Sequence, residues 1–168
     1  MSDQEDIITA QIWALVREYL QQATPEALHV YAARSNYDDN DKGLRLLIDN
    51  PKLDRGTALL LFWYLGADYH ARRTVEELEG DELAADDLIQ LVQARFMGGF
   101  YTDSNIFFSP RHSDLRPDDY ESDGPIKREI PAIMYLPTDG LTNVDLDDSN
   151  YDEGLPLPVV HRIFALLD

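Results

Sequence analysis

The most informative stretch of this chain covers residues 54–66 and reads DRGTALLLFWYLG. Residues 58–65 are apolar on nearly every side of a helix, and a helix of that kind belongs in the interior of a protein. Asp54 is suited to cap the first turn, and Gly66 is suited to end the last one. The stretch therefore predicts a buried helix with defined ends.

Three further helices are predicted before this buried one. The first covers residues 6–22, where apolar side chains recur at helical spacing: Ile8, Ile12, Leu15, Val16 and Tyr19. A second helix, capped by Thr24, runs to about residue 34. A third, short helix is capped by Asp41. It ends before Pro51, because the residue that precedes a proline avoids the helical region.

Two more helices and a capping box are predicted after the buried helix. Thr74 and Glu77 have the spacing of a capping box. Apolar side chains at helical spacing predict a helix over residues 84–97, which Gly98-Gly99 terminates. A last helix is predicted over residues 158–167.

The last third of the chain has a different character from the helical part. Residues 100–101 and 106–108 are short, aromatic and β-prone. Residues 130–136 are predicted as a strand, and Pro131 would confine that strand to an edge because proline has no N–H to donate. Residues 137–154 are acidic and rich in turn formers.

These elements predict a mostly α protein. Its short antiparallel helices suit a helical-hairpin stack, with a small irregular or β element in the last third. The length favours one domain over residues 1–168. Within it we expect a helical core over residues 6–99, an irregular acidic region over residues 100–154, and a C-terminal helix over residues 156–167.

The charge balance restricts the classes of partner. The chain has 32 acidic side chains against 14 Lys and Arg, for a net charge of −18. Because phosphate binding needs clustered Lys and Arg, neither nucleic acid nor an anionic membrane is expected as a partner. Solubility is one reading of this charge. The functional reading is a surface that attracts a basic protein.

The composition also favours the cytoplasm. The absence of cysteine excludes disulfides and thiolate zinc sites and suits a reducing compartment. Residues 1–6 are acidic and lack the pattern of a signal peptide. The apolar run at residues 58–65 falls far short of the roughly 20 residues that span a bilayer.

No metal or cofactor site is expected. The histidines are not spaced i, i+4 on one helix; they are His29, His70, His112 and His161. A calcium loop beginning at Asp38 fails because Lys42 lies at a ligand position, and one beginning at Asp145 fails because Asn150 replaces its glycine.

No catalytic residue is expected either. His112, Ser113 and Asp114 are adjacent in sequence, whereas a catalytic triad is assembled from distant segments. Pairs of carboxylates arise by chance in a chain this acidic, so they do not indicate a glycosidase.

Two aromatic clusters remain. The first is expected in the core and at its edge: Phe62, Trp63, Tyr64 and Tyr69. The second fits either the core or a partly exposed contact patch: Phe100, Tyr101, Phe107 and Phe108. Interfaces favour aromatic side chains at the centre and charge at the rim. The acids that would form such a rim are Asp103, Asp114, Asp118 and Asp119.

Residues 47–63, LIDNPKLDRGTALLLFW, resemble a bacterial family of small domains of unknown function that share an Asn-Pro-x-x-Asp-x-Gly-Thr-Ala-Leu segment. The loop at residues 36–39 and the Gly-Phe-Tyr at residues 99–101 extend the likeness over about residues 28–110. The family has no assigned reaction. Its members are often encoded near polymorphic toxins, so the resemblance implies an immunity-like role.

Charge and resemblance together suggest a cytoplasmic binding protein of immunity type. It would hold a cationic toxin domain, often a nuclease, by electrostatic and aromatic contact and occlude its active site. The expected contact residues are Asp38, Asp39, Asp41, Glu76, Glu77, Glu79, Asp118, Asp119, Glu121 and Asp123, with Tyr101 and Phe107.

Two alternatives stay open. One is an enzyme or ligand-binding domain with a carboxylate site built around Asp38, Asp39 and Asp54, which needs a deep pocket and perturbed pKa values. The other is a helical adaptor domain with a concave groove.

Overall fold

The computed structural model describes residues 2–168 and is mostly helical, with a small two-stranded antiparallel sheet near the C-terminus. The predicted fold class is therefore confirmed. The described residues form seven α-helices: α1 Asp3–Gln22, α2 Pro25–Arg34, α3 Asp41–Ile48, α4 Arg55–Tyr64, α5 Ala67–Ala71, α6 Asp81–Met97 and α7 Leu157–Leu167. The strands are β1 Tyr151–Asp152 and β2 Leu155–Pro156.

The chain divides into two compact units. The first unit combines the residues up to 49 with residues 145–168, and the second unit covers residues 50–144. The single domain over residues 1–168 stays a prediction. Within residues 2–168, no helix is both long and apolar enough to cross a membrane.

The first unit is built on α1, which packs against α7 and α3. Ser2 and Glu5 form a capping box at the start of α1, with the Glu5 carboxylate 2.7 Å from the Ser2 nitrogen. Thr24 caps α2 by accepting a hydrogen bond from the Ala27 N–H at 3.2 Å, as predicted. These local signals explain why the helices begin where they do.

Tyr31 lies at the centre of the first unit and is only 2% exposed. Its hydroxyl donates to Asn40 Oδ1 at 2.8 Å. The turn between β1 and β2 lies against its backbone, where a Cβ added to Gly154 would be 2.8 Å from the Tyr31 Cα. Glu153 and Gly154 both have positive φ, of 47° and 83°, which suits the tight turn of a two-residue hairpin.

Gly43 on α3 packs directly against the side chain of Tyr31. A Cβ at residue 43 would overlap the Tyr31 hydroxyl. Gly43→Ala is therefore expected to lower the free energy of unfolding by about 2 kcal/mol, as overpacking does in dense interiors. Of the two oxygens that a Cβ at residue 43 would meet, the Tyr31 hydroxyl is nearer than Asn40 Oδ1. Urea denaturation of the single and double variants checks this, since Tyr31→Phe removes the nearer oxygen and should reduce the loss. An equal loss in both backgrounds would contradict the steric explanation.

The second unit is built around α4, whose residues from Gly56 to Trp63 are all buried. Asp54 caps α4, and Gly66 follows it with a left-handed φ of 101°, as the sequence predicts. Trp63 is 2% exposed, and its indole N–H donates to the Met134 carbonyl at 2.9 Å. The expectation of a buried central helix is confirmed for this unit.

Two strand predictions are wrong. Residues 130–136 contain a 3₁₀ turn, Ala132–Tyr135, that follows Pro131 at φ −55° and is held by the hydrogen bond from Trp63. The β-prone residues 100–108 form no strand. They make only isolated bridges, from Thr102 to Asp54 and from Ile106 to Thr142.

Candidate binding surface

The predicted contact acids are all exposed, and they lie in both units. The first unit carries Asp38, Asp39 and Asp41. The second unit carries Glu76, Glu77, Glu79, Asp118, Asp119, Glu121 and Asp123.

In the first unit the predicted acids follow the end of α2. The Asp38 N–H donates to Asn36 Oδ1 at 3.0 Å, which fixes a turn, and the Asp38 side chain is exposed. Asp41 lies at the edge of an open groove of about 420 Å³. The other residues that line this groove are Trp13, Lys42, Arg45, Leu46 and Asp49.

In the second unit a buried arginine connects the acids near residue 120 to α5. Arg72 is 4% exposed and donates from two nitrogens to the Asp68 carboxylate, at 3.2 and 3.3 Å. It also donates to Asp118 at 3.1 Å and to the Gly124 carbonyl at 2.6 Å. Hydrogen bonding to Asp68 raises the pKa of Arg72, so this cation stays charged within the cluster.

Arg73 and Lys127 connect the other acids of the unit. Arg73 donates to Asp123 at 2.9 Å, and its guanidinium carbon lies 3.4 Å from the centre of the Tyr69 ring. Lys127 donates to Glu77 at 2.7 Å, and this hydrogen bond is the largest cause of the lowered pKa of Glu77. The structure thus brings together two predicted groups that are far apart in sequence.

We call this region the acidic face and define it as Glu76, Glu77, Glu79, Asp118, Asp119, Glu121 and Asp123. Three of these acids have neither a hydrogen bond nor an ion pair through their side chains to any residue in 2–168: Glu76, Glu79 and Glu121. Tyr120 lies beside them, 36% exposed, with its ring 5.4 Å from that of Tyr69.

The second unit also contains a cluster that the sequence does not predict, formed by His70, Asp86 and Arg128. Arg128 donates to both oxygens of Asp86, at 3.0 and 2.8 Å, and to the His70 carbonyl at 2.8 Å. His70 Nδ1 lies 3.2 Å from the same carboxylate. Its members are 16 and 42 residues apart, so no local spacing could have indicated it. A cavity of about 80 Å³ lies beside His70 and Arg128.

The pKa values in this buried cluster follow from burial and from Arg128. Burial would raise the pKa of Asp86, but the Arg128 guanidinium outweighs it and holds the pKa below its usual value. Burial is also the main reason that the pKa of His70 is lowered, against the opposing effect of Asp86. The carboxylate therefore stays ionised, and the cluster ties residue 128 to α5 and α6.

The second aromatic cluster is split between the core and the surface. Tyr101 and Phe108 are buried, at 5% and 6% exposure, while Phe107 is 36% exposed. Tyr101, a predicted contact residue, therefore packs in the core. Phe107 is the predicted aromatic contact that a partner can reach.

The surroundings of Asp54 indicate a structural role, because backbone N–H groups occupy its carboxylate. One of its oxygens accepts from the Gly56 N–H at 2.6 Å, and the other accepts from the N–H groups of Ser104, at 2.6 Å, and Ile106, at 3.4 Å. Burial raises the pKa of Asp54, and these three hydrogen bonds oppose that rise. Both oxygens are thus engaged by backbone, whereas Asp38 and Asp39 are exposed.

Within residues 2–168, no group of three or more His, Asp or Glu side chains is arranged to hold a metal ion. In the second unit, the buried acids Asp68 and Asp86 hold Arg72 and Arg128, while the exposed acids Asp123 and Glu77 pair with Arg73 and Lys127.

Comparison with known families agrees in part with the sequence analysis. Residues 23–97 match the model of a family described as "Domain of unknown function (DUF4274)", which overlaps the region of about 28–110 where a family resemblance is expected. No curated protein and no solved structure matches the chain significantly. The family is therefore one whose function is unassigned.

Proposed function

We propose that this protein is a cytoplasmic binding protein of immunity type that holds a basic partner domain, expected to be a toxin domain, and covers its active site. Binding alone would suffice, and the protein would need no chemistry of its own. One observation supports the proposal: Glu76, Glu79 and Glu121 are exposed on the acidic face and make no side-chain hydrogen bond or ion pair to any of the described residues, whereas the other four acids of the face pair with nearby cations.

Three arginines near the face would otherwise cancel its charge. Arg72 and Arg128 are held by Asp68 and Asp86, and each also donates to backbone carbonyls. Arg73 donates to the Tyr69 carbonyl at 2.7 Å in addition to Asp123. Asp118, Asp119, Asp123 and Glu77 are paired with cations, so the uncompensated charge on the face is that of Glu76, Glu79 and Glu121. These three carboxylates add to the negative field of a chain of net charge −18.

The same contacts hold the backbone beneath the acids in place. The N–H groups of Lys127 and Arg128 both donate to the Ala71 carbonyl, at 2.8 and 2.9 Å. The N–H groups of Asp118 and Tyr120 donate to Asp68, at 3.1 and 2.8 Å. A surface fixed in this way loses little conformational entropy when a partner binds, which favours affinity.

Neutralising the unpaired acids tests the proposal. We expect Glu76→Gln/Glu79→Gln/Glu121→Gln to weaken binding to a basic partner by about tenfold or more, mainly through a slower association rate, and to flatten its dependence on salt. The probe is the purified product of the gene adjacent to this protein's gene, measured by surface plasmon resonance at several salt concentrations.

The matched control removes the same charge elsewhere. Asp87, Asp148 and Asp152 are exposed and make no side-chain ion pair within residues 2–168, so Asp87→Asn/Asp148→Asn/Asp152→Asn should leave affinity within about threefold. Equal loss in both triple variants would show that net charge alone acts. No binding, or binding insensitive to salt, would refute the electrostatic mechanism.

A further inference from the structure

Two loops of the second unit present apolar side chains to solvent. The paired loops, residues 103–108 and 138–142, lie side by side through a parallel bridge between Ile106 and Thr142. Leu141 is 84% exposed and Phe107 is 36% exposed. Exposed single side chains are ordinary on protein surfaces. Leu141 and Phe107 differ from such side chains because hydrogen bonds fix the backbone that carries them.

Hydrogen bonds connect the paired loops along their length. The Phe107 N–H donates to the Thr142 carbonyl at 2.8 Å, and the Thr142 N–H donates to the Asn105 carbonyl at 2.9 Å. The Leu141 N–H donates to Asn105 Oδ1 at 3.0 Å. From beneath, Asp54 accepts from the Ser104 and Ile106 N–H groups. The backbone on both sides of Phe107 and next to Leu141 is thus fixed.

The backbone of the loops is also closely fitted. Asn105 has a φ of 79°, in the left-handed region that asparagine adopts more readily than other non-glycine residues. Gly140 packs against the Ile106 backbone so closely that a Cβ would overlap it. The two loops are therefore held together by close packing as well as by hydrogen bonds.

The surroundings of the paired loops are acidic. Asp103 and Asp139 are exposed within the loops themselves. Arg111 connects the 3₁₀ turn before the second loop to the acidic face. It lies 5.7 Å from the ring centre of Tyr135, in the turn, and 3.9 Å from Asp118, on the acidic face. Apolar side chains ringed by charge are typical of the centre and rim of protein interfaces.

We propose that Leu141 and Phe107 are an apolar anchor that enters an apolar socket, rimmed by Lys and Arg, on a protein partner. This inference rests on the proposed function, because the partner is the same basic domain. Charge selects this occupant. A second copy of a chain with net charge −18 would be repelled, as would nucleic acid or an anionic membrane.

Selection from a random phage-displayed peptide library on the full chain tests the anchor without a known partner. We expect the enriched peptides to combine Leu, Phe or Trp with Lys or Arg. Synthetic peptides of these sequences should bind Leu141→Ser and Phe107→Ser at least about 20-fold more weakly, as hot-spot residues do. Leu167→Ser is the matched control, since Leu167 is a 57% exposed leucine in the first unit. Circular dichroism confirms that each variant is folded.

The outcomes separate the anchor from the acidic face. The anchor is refuted if no peptide is enriched over the Phe107→Ser/Leu141→Ser double variant, or if the enriched peptides lack either apolar or basic residues. The anchor is also refuted if Leu141→Ser and Phe107→Ser bind the peptides like the wild type while Glu76→Gln/Glu79→Gln/Glu121→Gln binds them more weakly. That result would leave the proposed function intact. Loss at Leu141 with no effect of salt or of the acidic face would support the anchor and refute electrostatic recognition.

Discussion

Asp54→Ala is expected to lower the free energy of unfolding by about 4 kcal/mol, measured by urea denaturation. The side chain is 1% exposed, and its two oxygens accept from three backbone N–H groups in two segments of the second unit. Loss of an N-cap costs about 1–2 kcal/mol, and a buried N–H left without an acceptor adds about 1–3 kcal/mol. Alanine would remove the cap of α4 and the support of the paired loops together.

Two further variants sharpen this measurement. Asp139→Ala changes an exposed aspartate of the paired loops whose side chain makes no hydrogen bond within residues 2–168, and it should stay within about 0.5 kcal/mol of the wild type. Asp54→Asn keeps one acceptor oxygen and should fall between the two. Amide hydrogen exchange at Ser104 and Ile106 should accelerate in Asp54→Ala. If stability and exchange both match those of Asp139→Ala, Asp54 does not hold the loops.

The helical part of the fold could be predicted because its signals are local. Asp54, Thr24 and Gly66 act on backbone groups within a few residues, and the structure shows each in the predicted role. The burial of α4 follows from a run that has no polar face. Local backbone chemistry and helical periodicity therefore account for the correct helices and for the mostly α class.

The last third could not be predicted because long-range contacts determine it. Residues 130–136 have the composition of a strand, but Trp63 draws the Met134 carbonyl into a 3₁₀ turn 71 residues away in sequence. The hairpin at Tyr151–Pro156 begins in the stretch predicted only as acidic and turn-rich, residues 137–154, and extends to residue 156, where the C-terminal helix region is expected to begin. Composition does not reveal which distant side chain satisfies a backbone group.

The candidate surface shows the same division. That the acids are exposed followed from their charge, but their pairing did not. Arg72 meets Asp118 across 46 residues, and Arg128 meets Asp86 across 42. Burial likewise separates Tyr101 from Phe107, six residues later, although both are aromatic residues in one β-prone stretch. The sequence identifies the charged and aromatic side chains, and only the fold shows which of them are paired, buried or exposed.

The first unit should lose stability in mild acid because of His29 on α2. His29 is 4% exposed, and burial lowers its pKa from 6.5 to about 4. Between these values the unfolded chain binds a proton that the folded chain does not. The contribution of His29 to the free energy of unfolding is therefore largest above pH 6.5, declines as the pH falls, and becomes constant below about pH 4. The loss amounts to about 3 kcal/mol.

Urea denaturation of the wild type and His29→Gln at a series of pH values isolates this effect. Carboxylates titrate alike in both proteins, so they cancel in the difference between the two stability curves. That difference should change by about 3 kcal/mol between pH 6.5 and pH 4, with the wild type losing more stability as the pH falls. His161→Gln, at an exposed histidine of α7, should follow the wild-type curve. Parallel curves for the wild type and His29→Gln would mean that the buried imidazole is protonated as readily in the folded protein as in the unfolded chain.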